Sequence, residues 1–282
     1  MNGKENRESR TNREKNQQHK PNKMNARGAV LLDANEPGAY EVVRTMGESP
    51  IVIVCDHASN RIPERLNNLG LTDEQLASHI AWDSGAAELA RKLSARLDAA
   101  LILSNYSRLV IDCNRPAGHP ESILGQSDNV VVPGNAEIDK LEASRRSRTL
   151  LDPYQQAIAS VISRRDRDNV RLLSIHSFTP SLHGEQRPWS IGVCYNHTEQ
   201  ASSDWAKKML TGLRTRVNPT EDPVGDNQPY DVTEDCDFTL TRQGRKHAIP
   251  NLMLELRQDK ISDDLMIQRW CNIIAGCCEY SD

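Results

Sequence analysis

Four stretches of this 282-residue chain run from apolar residues into side chains that can hold a metal or move a proton. IVIVCDHASNRIP leads into Asp56 and His57, and RLVIDCNRP carries Arg108, Asp112, Asn114 and Arg115. LLSIHSFTP ends at His176, and NLMLELRQD holds Glu255 and Arg257. Two neutral imidazoles and one carboxylate are the ligand set of a catalytic zinc that keeps its fourth position for water. A further carboxylate beside such an ion can serve as general base. An arginine offers a planar fork that fits a substrate carboxylate. Singly, each residue has a plain structural use: a turn histidine, a capping aspartate, an ion-paired arginine. Their coincidence after four separate runs is what points to hydrolytic metal chemistry.

For these residues to meet, the runs must be neighbouring strands whose carboxyl ends share one rim. Residues 51–55 form a short, continuous apolar run, the mark of a strand buried on both faces. The segments 101–104, 108–112, 172–176, 190–195 and 252–256 are predicted as further strands. Leu89, Leu93 and Leu97, with Ala86 and Ala90, give 85–98 an amphipathic helical stripe. Helices are also predicted over 136–167, interrupted near Pro153, which would break or kink the run, over 203–216 and over 262–278. Strands separated by helices specify an α/β sandwich with a largely parallel sheet. The closing helix, with Leu265, Met266, Trp270, Ile273 and Ile274, packs on that sheet or offers a face for a homo-oligomer.

Composition excludes several other function classes. The chain holds 35 basic and 39 acidic residues, a net charge of −4. Residues 1–27 carry eight Lys or Arg against three Glu, and the remainder 27 basic against 36 acidic. An acidic body with 4% aromatic residues gives nucleic acid neither a basic stripe nor a stacking platform. The apolar runs are far short of the roughly 20 residues a membrane span needs. Residues 1–30 read as a disordered basic tail, too polar to offset its ordering entropy by burial, and 31–282 as one domain. Seven cysteines without a CxxC pair or export signal fit a reducing cytoplasm.

Taken together and in order, CDHASNRIPERL, HIAWDSGA, SRLVIDCNRP, SIHSFTP and LELRQD resemble the N-formylglutamate amidohydrolase family. More distantly, the arrangement is similar to zinc carboxypeptidases and aspartoacylase. The resemblance implies a three-layer α/β sandwich with a mixed, largely parallel sheet, phosphorylase/hydrolase-like and zinc exopeptidase-like. It further implies a zinc-dependent amidohydrolase that takes a small N-acyl amino acid, with N-formylglutamate giving formate and glutamate. The residues alone support an N-acyl amino acid with a free carboxylate, so another deacylase or peptidase specificity stays open. So does a non-catalytic relic of the fold.

Residue by residue, His57 and His176 resemble the two histidine ligands, and Glu255 the general base. Asn114 and Arg115 resemble the pair that grips the substrate carboxylate, with Arg108 placed to stabilise the oxyanion. The zinc peptidases take their third ligand three positions after the first histidine, where this chain has Asn60, a poor zinc ligand beside a carboxylate. Asp83 in HIAWDSGA is the preferred replacement, with Asp56 and Glu64 as alternatives and helix capping as its competing use. His79, His183, His247, Arg242 and the polar loop 226–232 are further candidates for the rim.

Overall fold

The structure, a computed structural model, describes residues 30–232 and 237–279. The predicted basic tail, apart from Val30, lies outside the described residues. Each aliphatic run that has no polar face becomes a strand covered on both sides. β1 (Tyr40–Val43) is an edge strand, followed by β2 (Ile51–Cys55), whose five residues are all buried. After α1 (Asp73–Ala77) and α2 (Ala86–Leu97) comes β3 (Ala100–Ser104), again buried throughout. A small hairpin, β4 (Gln126–Ser127) and β5 (Val130–Val131), leads into α3 (Lys140–Arg146) and α4 (Asp152–Ser163). β6 (Arg171–Phe178) runs into a second hairpin, β7 (Ser181–Leu182) and β8 (Glu185–Gln186), then β9 (Ile191–Cys194). The chain closes with α5 (Gln200–Arg216), β10 (Val224–Asp226), α6 (Phe238–His247), β11 (Asn251–Arg257) and α7 (Asp264–Glu279).

The seven-stranded sheet has the order β1-β3-β2-β6-β11-β9-β10. β3, β2, β6 and β11 are parallel, β1 and β9 run against their neighbours, and β10 follows β9. Alternate residues feed two cores. Ile53, Leu101, Leu173 and Leu254 meet α2, α5 and α7 through Leu93, Met209, Trp270 and Ile274. Val54, Ile102, Leu172 and Met253 meet α4 and α6 through Tyr154, Ile158 and Leu240. The result is a three-layer α/β sandwich with a mixed, mostly parallel sheet. In α7, Trp270 and Ile274 are fully buried against the sheet, while Leu265 is 83% exposed.

Two predicted elements differ. Residues 108–112 are not a strand; they form turns in a buried loop after β3. The apolar triplet Leu109–Val110–Ile111 enters the core from that loop, so burial occurs without sheet pairing. The interruption near Pro153 is a change of winding and not a break in the helix. Ser147–Leu151 winds as a π-turn between α3 and α4, and Pro153 falls in the first turn of α4. A proline lacks the N–H and crowds the preceding turn, and a widened turn accommodates both. Strand β1 and helices α1 and α6 were not predicted.

This loop is pinned by side chains instead of a ladder. Asn135 Nδ2 donates to the Leu109 and Leu124 carbonyls, both at 2.8 Å. Buried Arg146 donates through Nη1 to Val110 O at 2.9 Å and to Asn135 Oδ1 at 2.8 Å, and through Nε to Glu142. Arg146→Met would orphan those acceptors in the interior. It is expected to cost about 2–4 kcal/mol, read as a lower urea midpoint at unchanged m-value. An unshifted midpoint would remove Arg146 as the anchor of this loop.

Candidate active site

The register of the parallel strands places the two most informative side chains together. Glu255 of β11 sits directly beside His176 of β6 and across from Gly192 of β9. Residues in register share a face, here the one covered by α4 and α6. Asp56 and His57 leave β2 at the same rim, and Asp83 is carried in by the turn before α2. That turn explains Asp83 better than capping does. The N-cap of α2 is Gly85, at φ +80°, where a Cβ would lie 2.5 Å from Ile261 O. The Asp83 carboxylate points inward instead, to the histidines.

His57 Nδ1 and His176 Nδ1 converge on Asp83 Oδ2, at 3.4 and 2.8 Å. All three residues are buried, and their candidate ligand atoms lie within 4.8 Å of one another. Two ligands on a tetrahedral zinc with bonds of roughly 2.1 Å are about 3.4 Å apart, so the spacing fits such an ion with a small adjustment. The outward nitrogens are held as metal-ligating histidines require. His57 Nε2 meets Asp112 Oδ1 at 2.7 Å, and His176 Nε2 meets Asp56 Oδ2 at 3.2 Å. Asp56 in turn accepts from Thr239 Oγ1 at 2.5 Å and Ser174 Oγ at 3.2 Å. Asp56 therefore orients His176 and does not face the centre. Asn60 donates to Leu76 O, and Glu64 is exposed, its N–H spent on Glu36.

Charge also fits a cation. Asp56, Asp83, Asp112 and Glu255 are all buried within this group, with Arg108 as the nearby fixed cation. Burial works against charge on Asp83, yet His57 and Arg108 outweigh it and hold the carboxyl well below its ordinary value. For His176, burial disfavours the charged ring, but its bonds to Asp56 and Asp83 raise it well above the usual histidine. The cluster thus draws positive charge to its centre. Glu255 behaves in the opposite way: burial pushes its carboxyl up to about 8, against the pull of His176. Its Oε2 is buried with no hydrogen-bond partner among the described residues.

Arg108 reaches the edge of the cluster from the buried loop, with Nη1 3.3 Å from Asp83 Oδ1 and Nη2 3.2 Å from His57 Nε2. Arg115 and Arg108 line a cavity of about 180 Å³ together with His79, Asp112, Asp128 and His183. Arg115 Nε donates to Glu121, and its Nη1 to Asn114 O. Asn114 is buried, and its side-chain oxygen accepts the Thr239 N–H at the start of α6. That contact fixes the Asn114 amide against α6, while Arg115 and Arg108 line the cavity itself. His79 and His183 both reach Asp128, at 3.1 and 3.4 Å, and so sit on the cavity wall and not at the His57–Asp83–His176 cluster. His247 ends α6 just ahead of the start of β11, and so at the other end of the parallel strands from His176. Arg242 stacks on Phe238.

The roles of Asp112 and Thr239 behind the histidines were missed. Asp112 stood within a motif already singled out, whereas Thr239 lies on an unpredicted helix 183 residues from its partner Asp56.

Comparison with known proteins places these features in context. The sequence profile of N-formylglutamate amidohydrolase matches residues 49–262. The crystal structure of gene product Atu2144 from Agrobacterium tumefaciens is similar at 30% identity and a TM-score of 0.82, over 89% of this chain and 97% of that one. The N-formylglutamate amidohydrolase from Ralstonia eutropha JMP134 shares the fold at 15% identity and a TM-score of 0.61, over 86% and 98%. No curated protein matches the chain by sequence. Among the described residues no helix is long and apolar enough to cross a membrane.

Proposed function

Because the chain belongs to the N-formylglutamate amidohydrolase family, we propose that it is a metal-dependent hydrolase of the amide in a small N-acyl amino acid, N-formylglutamate foremost. The observation that carries this reading is the buried Glu255 carboxyl, its Oε2 without a partner among the described residues, in register with His176 of the His57–Asp83–His176 cluster. Those three residues would hold one divalent ion, zinc by the chemistry of the donor set. When bound, such an ion polarises a carbonyl and makes water a better acid.

The chain's own groups supply the rest. Glu255 takes a proton from the attacking water and returns it to the leaving nitrogen, a task suited to a carboxyl raised toward neutrality. Arg108, fixed by Asp83 and Asp112, faces the oxygen on which negative charge develops. Arg115 grips the substrate carboxylate from the cavity wall, with Asn114 O holding its guanidinium. The small, polar cavity suits one amino acid better than a polypeptide.

A formate-release assay across N-formyl amino acids tests this. Activity lost to a chelator and restored by a divalent ion is the expected outcome, whereas chelator-resistant turnover would exclude metal dependence. Arg115→Ala is expected to raise KM about 10–100-fold with a smaller change in kcat. An unaltered KM would move the carboxylate site elsewhere.

A further inference from the structure

Three arginines around this site already face carboxylates: Arg108 with Asp83 and Asp112, Arg115 with Glu121, and Arg257 with Asp259. Arg187 is held differently. Among the described residues no carboxylate pairs with it. Its Nη1 donates to the Tyr230 hydroxyl at 2.8 Å. Its Cζ lies 5.0 Å from the Tyr230 ring centre and 5.8 Å from that of Phe178. Aromatic faces fix a guanidinium without cancelling its charge, so the cation stays available to an anion.

The sheet aims this pair at the site. Phe178 stands two residues after His176 and Arg257 two after Glu255, so all four side chains share a face. Arg257 Nη1 donates to the carbonyls of Arg187 and Pro188, at 3.0 and 2.9 Å, and clamps the backbone that carries Arg187. From the other side comes the turn that bears Tyr230. It can lie against the face of Glu255 because residue 192 is glycine, where a Cβ would lie 1.7 Å from Gln228 O. Asn227 ties the turn down, its N–H to Val193 O at 2.9 Å and its Oδ1 to Tyr195 N–H at 2.8 Å. Burial, then the charge of Glu255, holds the Tyr230 phenol above its ordinary value, so the oxygen keeps a proton to donate.

Strand order sets the direction. Arg115 belongs to the loop after β3 and Tyr230 to the turn after β10. β2, β6 and β11, which position His57, His176 and Glu255, lie between β3 and β10. We propose that Arg187 and Tyr230 form a second anion-binding bracket, across the reacting amide from Arg115, that selects substrates with a second carboxylate. This inference rests on the amidohydrolase reading for its reaction but not for its binding. The second carboxylate belongs either to the amino-acid side chain or to the acyl group.

Paired substrates separate these cases. N-formylglutamate against N-formylglutamine differs only by a side-chain charge, and N-succinylalanine against its succinamoyl counterpart only by an acyl charge. In one pair the acid is expected to exceed its amide in kcat/KM by roughly 10–100-fold. Arg187→Gln should reduce that preference to within about threefold, and Tyr230→Phe should reduce it part of the way. A preference that survives Arg187→Gln, or the absence of any preference, overturns the bracket and leaves the amidohydrolase reading standing. Calorimetry of glutamate against glutamine, and of succinate against succinamate, needs no turnover. If none of the amides is hydrolysed, an Arg187-dependent preference for the dicarboxylate still supports the bracket, and equal binding overturns it.

Discussion

Glu255→Gln is expected to lower kcat by about 10²–10⁴-fold, the range for removal of a general base, with bound metal retained. Glutamine keeps the shape and the buried position but cannot carry a proton between water and the leaving nitrogen. The wild-type carboxyl is raised to about 8, by burial first, with Asp83 and Asp237 adding to it and His176 and Arg108 opposing. The active form is the ionised one, so kcat/KM should climb with pH. A cation at the neighbouring cluster favours that ionised form, which sets the ascending limb of the metal-loaded protein below 8. The same shift has a cost in stability without metal. In the unfolded chain this carboxyl ionises near 4.5, and in the metal-free fold near 8. Its contribution is therefore complete below 4.5 and lost as pH rises toward 8. Metal-free Glu255→Gln should match the wild type in Tm near pH 4 and exceed it by at least a few degrees above pH 8. Unchanged turnover removes Glu255 from proton transfer, and a Tm difference that ignores pH removes the buried charge as the reason.

What could be read from the sequence divides along physical lines. Strands β2, β6 and β11 were legible because a strand buried on both faces has no polar alternation, and each carries or leads into a candidate site residue. The loop holding Arg108 was misread as a strand because Leu109–Val110–Ile111 has the same apolar composition. Burial leaves that signature whether the backbone is satisfied by a neighbouring strand or by Asn135 and Arg146. Asp83 was preferred over a competing use as a helix cap, and the turn that places Gly85 at the N-cap accounts for its inward aim. Illegible were contacts made across long separations. Nothing local in Thr239 points to Asp56, nor anything in Arg187 to Tyr230 43 residues away. Gly192 reads as an ordinary strand glycine until the Gln228 carbonyl is found above it. Register, not motif, assembled the site: a one-residue slip of β11 would turn Glu255 into the opposite core.

Asp83→Asn is expected to reduce affinity for a divalent ion by more than 100-fold, beyond the roughly 10–100-fold typical of residues that only support ligands. The variant preserves volume and can still accept the Ser177 N–H that reaches Asp83 at 3.3 Å, so circular dichroism should show an intact fold. What it removes is the single charged atom on which both Nδ1 nitrogens converge. Asp56→Asn and Asp112→Asn make the necessary comparison. Each leaves the cluster in place but weakens the acceptor behind His176 or His57, and each should fall within the supporting range. Asn60→Ala should leave affinity unaltered, since the Asn60 side chain serves Leu76 O. Metal content after dialysis, with competitive titration against a chromophoric chelator, resolves the three classes. If Asp83→Asn bound as tightly as wild type while Asp56→Asn lost the ion, the third ligand would be Asp56. The centre would then have to form on the Nε2 side of His176, on the far side of the ring from Asp83.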